Sequence, residues 1–326
     1  MHPGPPRAHR PPAPSIEEGN TRVADLEKLV QRAETLLTRL EHLLPPPPAE
    51  PDWSAVAWRW RRVRGQGVLH PVKHPHKVSL ADLHDIDRQK ALIEANTRQF
   101  VEGRPANNVL LTGARGTGKS SLVKGCFNKF RSKGLRIIEV DKQDLIDLPD
   151  ITDMIAGRPE RFILFCDDLS FEASETAYKA LKAALDGSIA APLENMLIYA
   201  TSNRRHLMPE FMAENLETRY VGDEIHPGET AEEKISLSER FGLWVSFYPF
   251  DQDAYLDIVA HWLAALGCAP RDIAHADTRE AALQWALQRG SRSGRVALQF
   301  ARDWAGRHAG VAVGASTGAS KARRRR

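Results

Sequence analysis

Gly113-Ala114-Arg115-Gly116-Thr117-Gly118-Lys119-Ser120 is the stretch on which the fold reading turns. It fits the spacing G-x-x-x-x-G-K-[ST], a loop that wraps phosphate groups in main-chain amides. The flanking residues supply what such a loop needs: the apolar run Asn108–Thr112 (NVLLT) predicts a strand running in, and Lys119–Arg131 a helix running out. Three glycines at 113, 116 and 118 let the backbone curl so that successive N–H groups face inward. The helix N-terminus adds partial positive charge. Lys119 then reaches β- and γ-phosphates, and the Ser120 hydroxyl is a candidate magnesium ligand. Ser121 completes the candidate nucleotide-contacting set, which runs from Gly113 to Ser121.

Outward from the loop the pattern alternates. Arg136–Val140 (RIIEV), Phe162–Cys166 (FILFC), Met196–Thr201 (MLIYAT) and Leu243–Phe247 (LWVSF) predict strands. Pro149–Ala156 reads as a short helix between them, and a longer helix runs to about Asp186. Apolar strands separated by helices predict an α/β fold, a five-stranded parallel sheet covered on both faces. After Pro249 the strands stop. Ala254–Leu266, Arg279–Gln288 and Gly294–Trp304 predict three helices.

Asp167-Asp168 ends the FILFC run, about 50 residues after the glycine-rich loop. An acidic residue leaving the carboxyl end of a buried strand beside a phosphate loop is the Walker B arrangement. Asp167 is the candidate to hold Mg²⁺ through water. Asp168 is the candidate base that orients and polarises an attacking water.

The rest of the chain divides at its prolines. Eleven of the 21 prolines fall in residues 1–51. Residues 1–20 read as disordered and 45–52 as a stiff spacer. Between them, residues 21–44 predict an amphipathic helix. Val23, Leu26, Val30, Ala33, Leu37, Leu40 and Leu44 form the seam of a short coiled coil, whose partner is either another subunit or the chain's own body. Residues 53–64 hold three of the seven tryptophans and four arginines. Two readings stand open: bases stacked on tryptophan, or a short amphipathic helix with its tryptophans laid on the body and arginine stems outward. The whole segment 53–80 precedes a core at 81–249, a helical lid at 250–308 and a basic tail at 309–326. The net charge of +3 includes five positive charges in the last six residues, so the remainder carries −2 and does not demand a nucleic-acid partner. Three separated cysteines, Cys126, Cys166 and Cys268, fit neither a disulfide framework nor a metal finger. Cys166 reads as an inert core thiol, and His70, His74 and His76 as a loop rather than a metal set. With no long apolar stretch and no secretory h-region in the first 20 residues, a cytoplasmic protein without a membrane partner is expected.

The residues just quoted resemble the AAA+ branch of P-loop ATPases. That resemblance implies ATP and Mg²⁺ as cofactors, a helical lid and a homo-oligomer, commonly a ring. It implies a polar residue at the tip of the strand after Walker B, where Asn203 stands in YATSN. It implies an arginine before the final strand that reaches a neighbouring subunit's nucleotide, where Arg240 stands in SLSERFG. It implies a lid arginine, where Arg295 stands in GSRSGR with Arg292 as runner-up. Each also has a plainer reading: Asn203 as a turn cap, Arg240 as a surface ion pair, Arg295 as a helix-face residue. From about Trp53 to His308 the chain is similar to an uncharacterised bacterial family of predicted AAA+ ATP-binding proteins. PANNVLLTGARGTGKSSLVK, FILFCDDLSFE, YATSNRRHL and ISLSERFG carry the likeness.

Two departures stand out. Most such ATPases end Walker B with Asp-Glu, and Asp168 is one methylene shorter. Slow hydrolysis is therefore expected, with Glu172 as a possible assistant. Asp85, in LHDID, occupies a place near the adenine pocket where a glycine is common. The reading is thus an Mg²⁺-dependent ATPase driving a conformational change, with a slow nucleotide-gated DNA loader or switch as the alternative. A protein remodeller ranks lower for want of an aromatic pore loop after Val140. The acidic insertion Pro209–Glu233 is a candidate partner contact.

Overall fold

The computed structural model describes residues 28–39, 50–63, 65–170, 176–186, 193–203, 219–221, 224–226 and 239–308. The chain divides into two compact units, Met1–Ala49 and Glu50–Arg326. In the first, residues 28–39 form helix α1, on which Leu29, Val30, Leu36 and Leu37 are exposed. The flanking parts of the expected helix, 21–27 and 40–44, lie outside the described residues. So do Glu172 and nearly all of the 209–233 insertion.

The second unit is built on one seven-stranded sheet in the order β2-β1-β4-β5-β6-β3-β9. Its five expected strands are β3 (Val109–Gly113), β4 (Leu135–Glu139), β5 (Arg161–Cys166), β6 (Met196–Ser202) and β9 (Leu243–Phe247), all parallel to their neighbours. β3 lies between β6 and β9, so the loop leaving it opens beside the ends of both. A hairpin of β1 (Ala57–Val63) and β2 (Gln66–Pro71) extends the sheet past β4. β7 (Arg219–Val221) and β8 (Glu224–His226) form a separate antiparallel pair.

Alternation along the strands fills two cores. On β5, Phe162, Leu164 and Cys166 face one layer, with Leu148 and Ile151 of α4 (Leu148–Ile155) and Tyr178 and Leu181 of α5 (Thr176–Asp186). Ile163 and Phe165 face the other, with Ile93 and Phe100 of α2 (Asp87–Val101) and Leu122 and Phe127 of α3 (Lys119–Phe130). Such two-sided burial is why these strands read as unbroken apolar runs. A third core joins α6 (Gln252–Ala265), α8 (Ala276–Gln288) and α9 (Gly294–His308) around Tyr255, Val259, Ala282 and Phe300, with the short α7 (Pro270–Ile273) between α6 and α8. The expected helical C-terminal region is therefore present.

The tryptophan and arginine segment lays its tryptophans on the body, as the second reading has it, but departs from that reading in its secondary structure. It is not a helix but strand β1. The reason is its period: W-R-W-R alternates every two residues, which in a strand sends tryptophans to one face and arginines to the other. Trp58 and Trp60 are fully buried. Trp60 Nε1 donates to Asp147 at 2.9 Å, and Arg62 pairs with the same carboxylate, holding it well below the usual aspartate range. Arg59 pairs with Glu139 on β4 at 2.6 Å. Trp53 is covered by the Arg158 guanidinium, 3.7 Å from its ring centroid. Gly67 is required by this packing, since a Cβ there would lie 1.9 Å from the Trp60 ring. His70 belongs to β2, opposite Arg59, rather than to a loop.

Trp60→Ala is expected to lower unfolding free energy by about 3–5 kcal/mol. Arg61→Ala, at an exposed position of the same strand, is expected to change it by under about 0.5 kcal/mol. Urea denaturation of the full chain compares the two, and equal effects contradict this account of the hairpin.

Candidate functional site

The loop from Gly113 to Gly118 bends back over the start of α3. Thr117 closes it by donating its hydroxyl to the Ala114 carbonyl at 2.8 Å. Lys119 follows at the first position of α3, yet its side chain is buried. Its ammonium donates to the Gly113 carbonyl at 2.8 Å, the Ala114 carbonyl at 2.6 Å and Asn203 Oδ1 at 3.0 Å. Burial pushes this amine down to about 8, although the nearby Asp168 and Asp167 carboxylates oppose the shift.

Asp167 and Asp168 leave the carboxyl end of β5, as expected. Asp167 Oδ1 accepts the Ser120 hydroxyl at 2.5 Å and the Thr201 hydroxyl at 2.6 Å. Asp168 has φ +53, a left-handed conformation that aspartate tolerates better than most residues. Its carboxylate accepts a bond from the Asn203 side-chain amide. Asn203 thus accepts a hydrogen bond from Lys119 with its oxygen and donates one to Asp168 with its nitrogen, which fixes the orientation of the amide. Among the described residues its side chain bonds to these two groups. Thr201 was silent in the sequence because it closes an apolar run, and its partners are 33 and 34 residues away in the chain.

These groups line a cavity of about 650 Å³. Its polar lining includes Arg115, Lys119, Ser120, Asp167, Asp168 and Asn203. Apolar side chains also line the cavity: Leu83 and Ile86, from the segment before α2 and next to Gly118, and Ile258 and Trp262 of α6. Asp85 sits between those wall residues at φ +58, the conformation a glycine would supply more readily. Burial and the neighbouring Asp257 carboxylate raise its pKa. His84, also at the wall, packs its ring 4.1 Å from that of His261, and burial lowers its pKa. Of these wall residues, His84 stands alone in the sequence, and Trp262 reads there only as part of the helical spacing Tyr255, Val259, Trp262 and Leu266.

The lid meets the loop directly. The Gly294 N–H, at the start of α9, donates to the Gly116 carbonyl at 2.9 Å. A Cβ on Gly116, whose φ is +73, would lie 2.7 Å from the Ser293 Cβ. Arg295 borders the cavity, whereas Arg292 borders a second one of about 690 Å³ shared with Arg115, Phe250 and Leu287. Arg240 is not among the residues lining the first cavity; it pairs with Asp186 at the end of α5. Cys166 is buried in β5, with burial pushing its thiol up to about 12.

The donor set suits an anion beside a hard cation. A buried amine is the kind of group that pairs with an anion, and the Ser120 hydroxyl beside the Asp167 carboxylate is an oxygen pair of the kind that could hold a hard cation. Fold and site together define an α/β protein with a glycine-rich loop after a central parallel strand and a helical C-terminal region. The chain belongs to the family described as protein of unknown function (DUF815), whose profile matches residues 53–308. No curated protein matches the chain. Among solved structures, the Thermotoga maritima RuvB Holliday junction branch migration motor shares 14% identity over 70% of this chain and 72% of its own, with a TM-score of 0.37. An E. coli MS115-1 HORMA:CdnC:Trip13 complex gives 14%, 69%, 90% and 0.41 in the same order. AMPPCP-bound DnaA from Aquifex aeolicus gives 16%, 64%, 59% and 0.41. Likenesses this remote say nothing about activity. No helix among the described residues is long and apolar enough to cross a membrane.

The Lys119 shift gives a pH dependence. An anion against this amine draws its pKa back up, so binding takes up a proton wherever the empty site has lost one. Affinity is therefore level below pH 8 and falls above it, by up to tenfold per pH unit. Calorimetry with ADP between pH 7 and 9.5 reads this directly. Lys119→Ala is expected to weaken binding and flatten the profile.

Proposed function

We propose that the protein is a magnesium-dependent ATPase of the AAA+ kind, working in a homo-oligomer in the cytoplasm and converting nucleotide hydrolysis into movement of its lid. The observation that carries this reading is the hydrogen-bonded array Lys119–Asn203–Asp168 beside the Ser120–Asp167 pair. It gathers an amine, an amide and two carboxylates on a cavity that apolar side chains also line. That is the mixture a nucleotide needs, with phosphates at the charged groups and the base between Leu83, Ile86, Ile258 and Trp262.

Lys119 binds the β- and γ-phosphates once they displace the carbonyls that now occupy it. Ser120 and Asp167 hold magnesium, which when bound offsets charge on the phosphate oxygens. Asp168 orients the attacking water and accepts its proton, and Asn203 keeps that carboxylate in place. Arg295 brings the lid to the phosphates, and Arg240 serves the nucleotide of a neighbouring subunit. In the single chain Arg240 is paired with Asp186, so this role asks the neighbour's site to compete with that carboxylate. The DNA-switch alternative loses its stacking element, because Trp58 and Trp60 are buried and Trp53 is capped by Arg158.

Asp168→Asn is expected to keep ATP affinity within about threefold and to lower turnover by about 10²–10⁴. Unchanged turnover would assign the base elsewhere, with Glu172 first in line. Arg240→Ala subunits and Lys119→Ala subunits are each expected to be nearly inactive, since an arginine in this role is worth about 10³–10⁵ in rate. Mixing them is expected to restore activity in a phosphate-release assay. No recovery in a mixed assembly proven by mass measurement contradicts the shared site.

A further inference from the structure

Thr201 stands at the end of β6, two residues before Asn203, and its side chain is buried. A hydroxyl carries one proton and two lone pairs. Here the proton goes to Asp167 Oδ1 at 2.6 Å, and a lone pair receives the Asp168 backbone N–H at 3.0 Å. One side chain therefore holds two consecutive aspartates, the first by its carboxylate and the second by its main chain. The Thr201 carbonyl adds to the clamp by accepting the Leu169 N–H at 2.6 Å.

The clamp falls where the backbone most needs it. Asp168 is one of two non-glycine residues with positive φ among the described residues. A left-handed non-glycine residue persists only when its surroundings over-determine it. The bonds to the 168 and 169 amides supply that determination, and with 168 so held its carboxylate meets the Asn203 amide. At Asp167 the effect is on the side chain. Oδ1 takes two hydroxyl protons, from Ser120 at 2.5 Å and from Thr201 at 2.6 Å. Among the described residues none donates to Oδ2, so that oxygen is the one left to serve an outer ligand.

We propose that Thr201 is a positioning residue for both aspartates, presenting Asp167 Oδ2 to the metal side of the site and locking Asp168 in the conformation that aims its carboxylate. The proposal rests on the magnesium–ATP reading of the cavity. A hydroxyl that merely filled its own hydrogen bonds would matter for stability alone, whereas a positioning hydroxyl changes how the site treats the metal.

Thr201→Val keeps the shape and removes the hydroxyl; Thr201→Ser keeps the hydroxyl and removes a methyl. ATP affinity is measured by calorimetry with magnesium and with EDTA, and turnover by phosphate release. Thr201→Val is expected to lose about 10–100-fold in the magnesium-dependent part of the affinity, with the EDTA value within about twofold of the parent. Its kcat is expected to fall about 100-fold. Thr201→Ser is expected to recover both to within about threefold. Thr201→Ala is a second hydroxyl-free variant, read in the same way should the valine variant fail to fold. Parental magnesium dependence and turnover in a folded hydroxyl-free variant overturn the proposal. So does a serine variant as impaired as the valine one, which marks a packing role. A parent chain that binds no ATP in either condition sinks the magnesium–ATP reading itself, an outcome distinct from both.

Discussion

A buried ammonium without acceptors is among the most costly things a protein interior can contain. Lys119 carries a buried ammonium, and much of the site follows from supplying it with acceptors. The glycine-rich loop folds back so that two of its own carbonyls face the amine. β6 ends where Asn203 supplies the third acceptor. Asn203 in turn has an amide nitrogen to satisfy, and Asp168 meets it from the adjacent strand. The sheet order is what permits this chain of partners. β6 lies between β3 and β5, so residues from three strand ends converge without any long loop.

The same arrangement explains the lowered amine pKa. The two carboxylates nearby favour the charged form, but the loop and strand ends shut out water, and burial is the larger effect. The empty site thus holds its lysine less firmly charged than an exposed lysine would be. A ligand bringing negative charge relieves that tension, which makes the site more receptive to polyanions than its modest count of cations suggests.

Much of this was legible in the sequence, and for physical reasons. The five parallel strands are buried on both faces, so each prints as a continuous apolar run. The loop is legible because its backbone takes positive φ at 113, 116 and 118, which favours glycine at those spacings. What escaped did so for equally definite causes. WRWRRV was judged by composition, as tryptophan stacking or an amphipathic helix, when its period of two already specified a strand with one apolar face. Thr201 escaped because its meaning lies across the sheet, in residues 33 and 34 positions earlier, which no local pattern records. Asp85 was noted as an oddity in place of a glycine, and its backbone conformation is indeed the one a glycine would adopt. Arg240 shows the opposite limit: its position before β9 was plain, but its partner Asp186 lies 54 residues earlier, and sequence alone named no partner.

The contact between lid and loop joins two main chains, the Gly294 amide and the Gly116 oxygen. Every amino acid except proline offers that amide, and every one offers that oxygen. The contact uses no side chain, and it needs bareness on both sides: a Cβ on Gly116 would lie 2.7 Å from the Ser293 Cβ, and one on Gly294 would lie 3.3 Å from the Gly116 oxygen. What joins the helical region to the loop is thus written in two absent side chains, and the other letters of that region do not encode it.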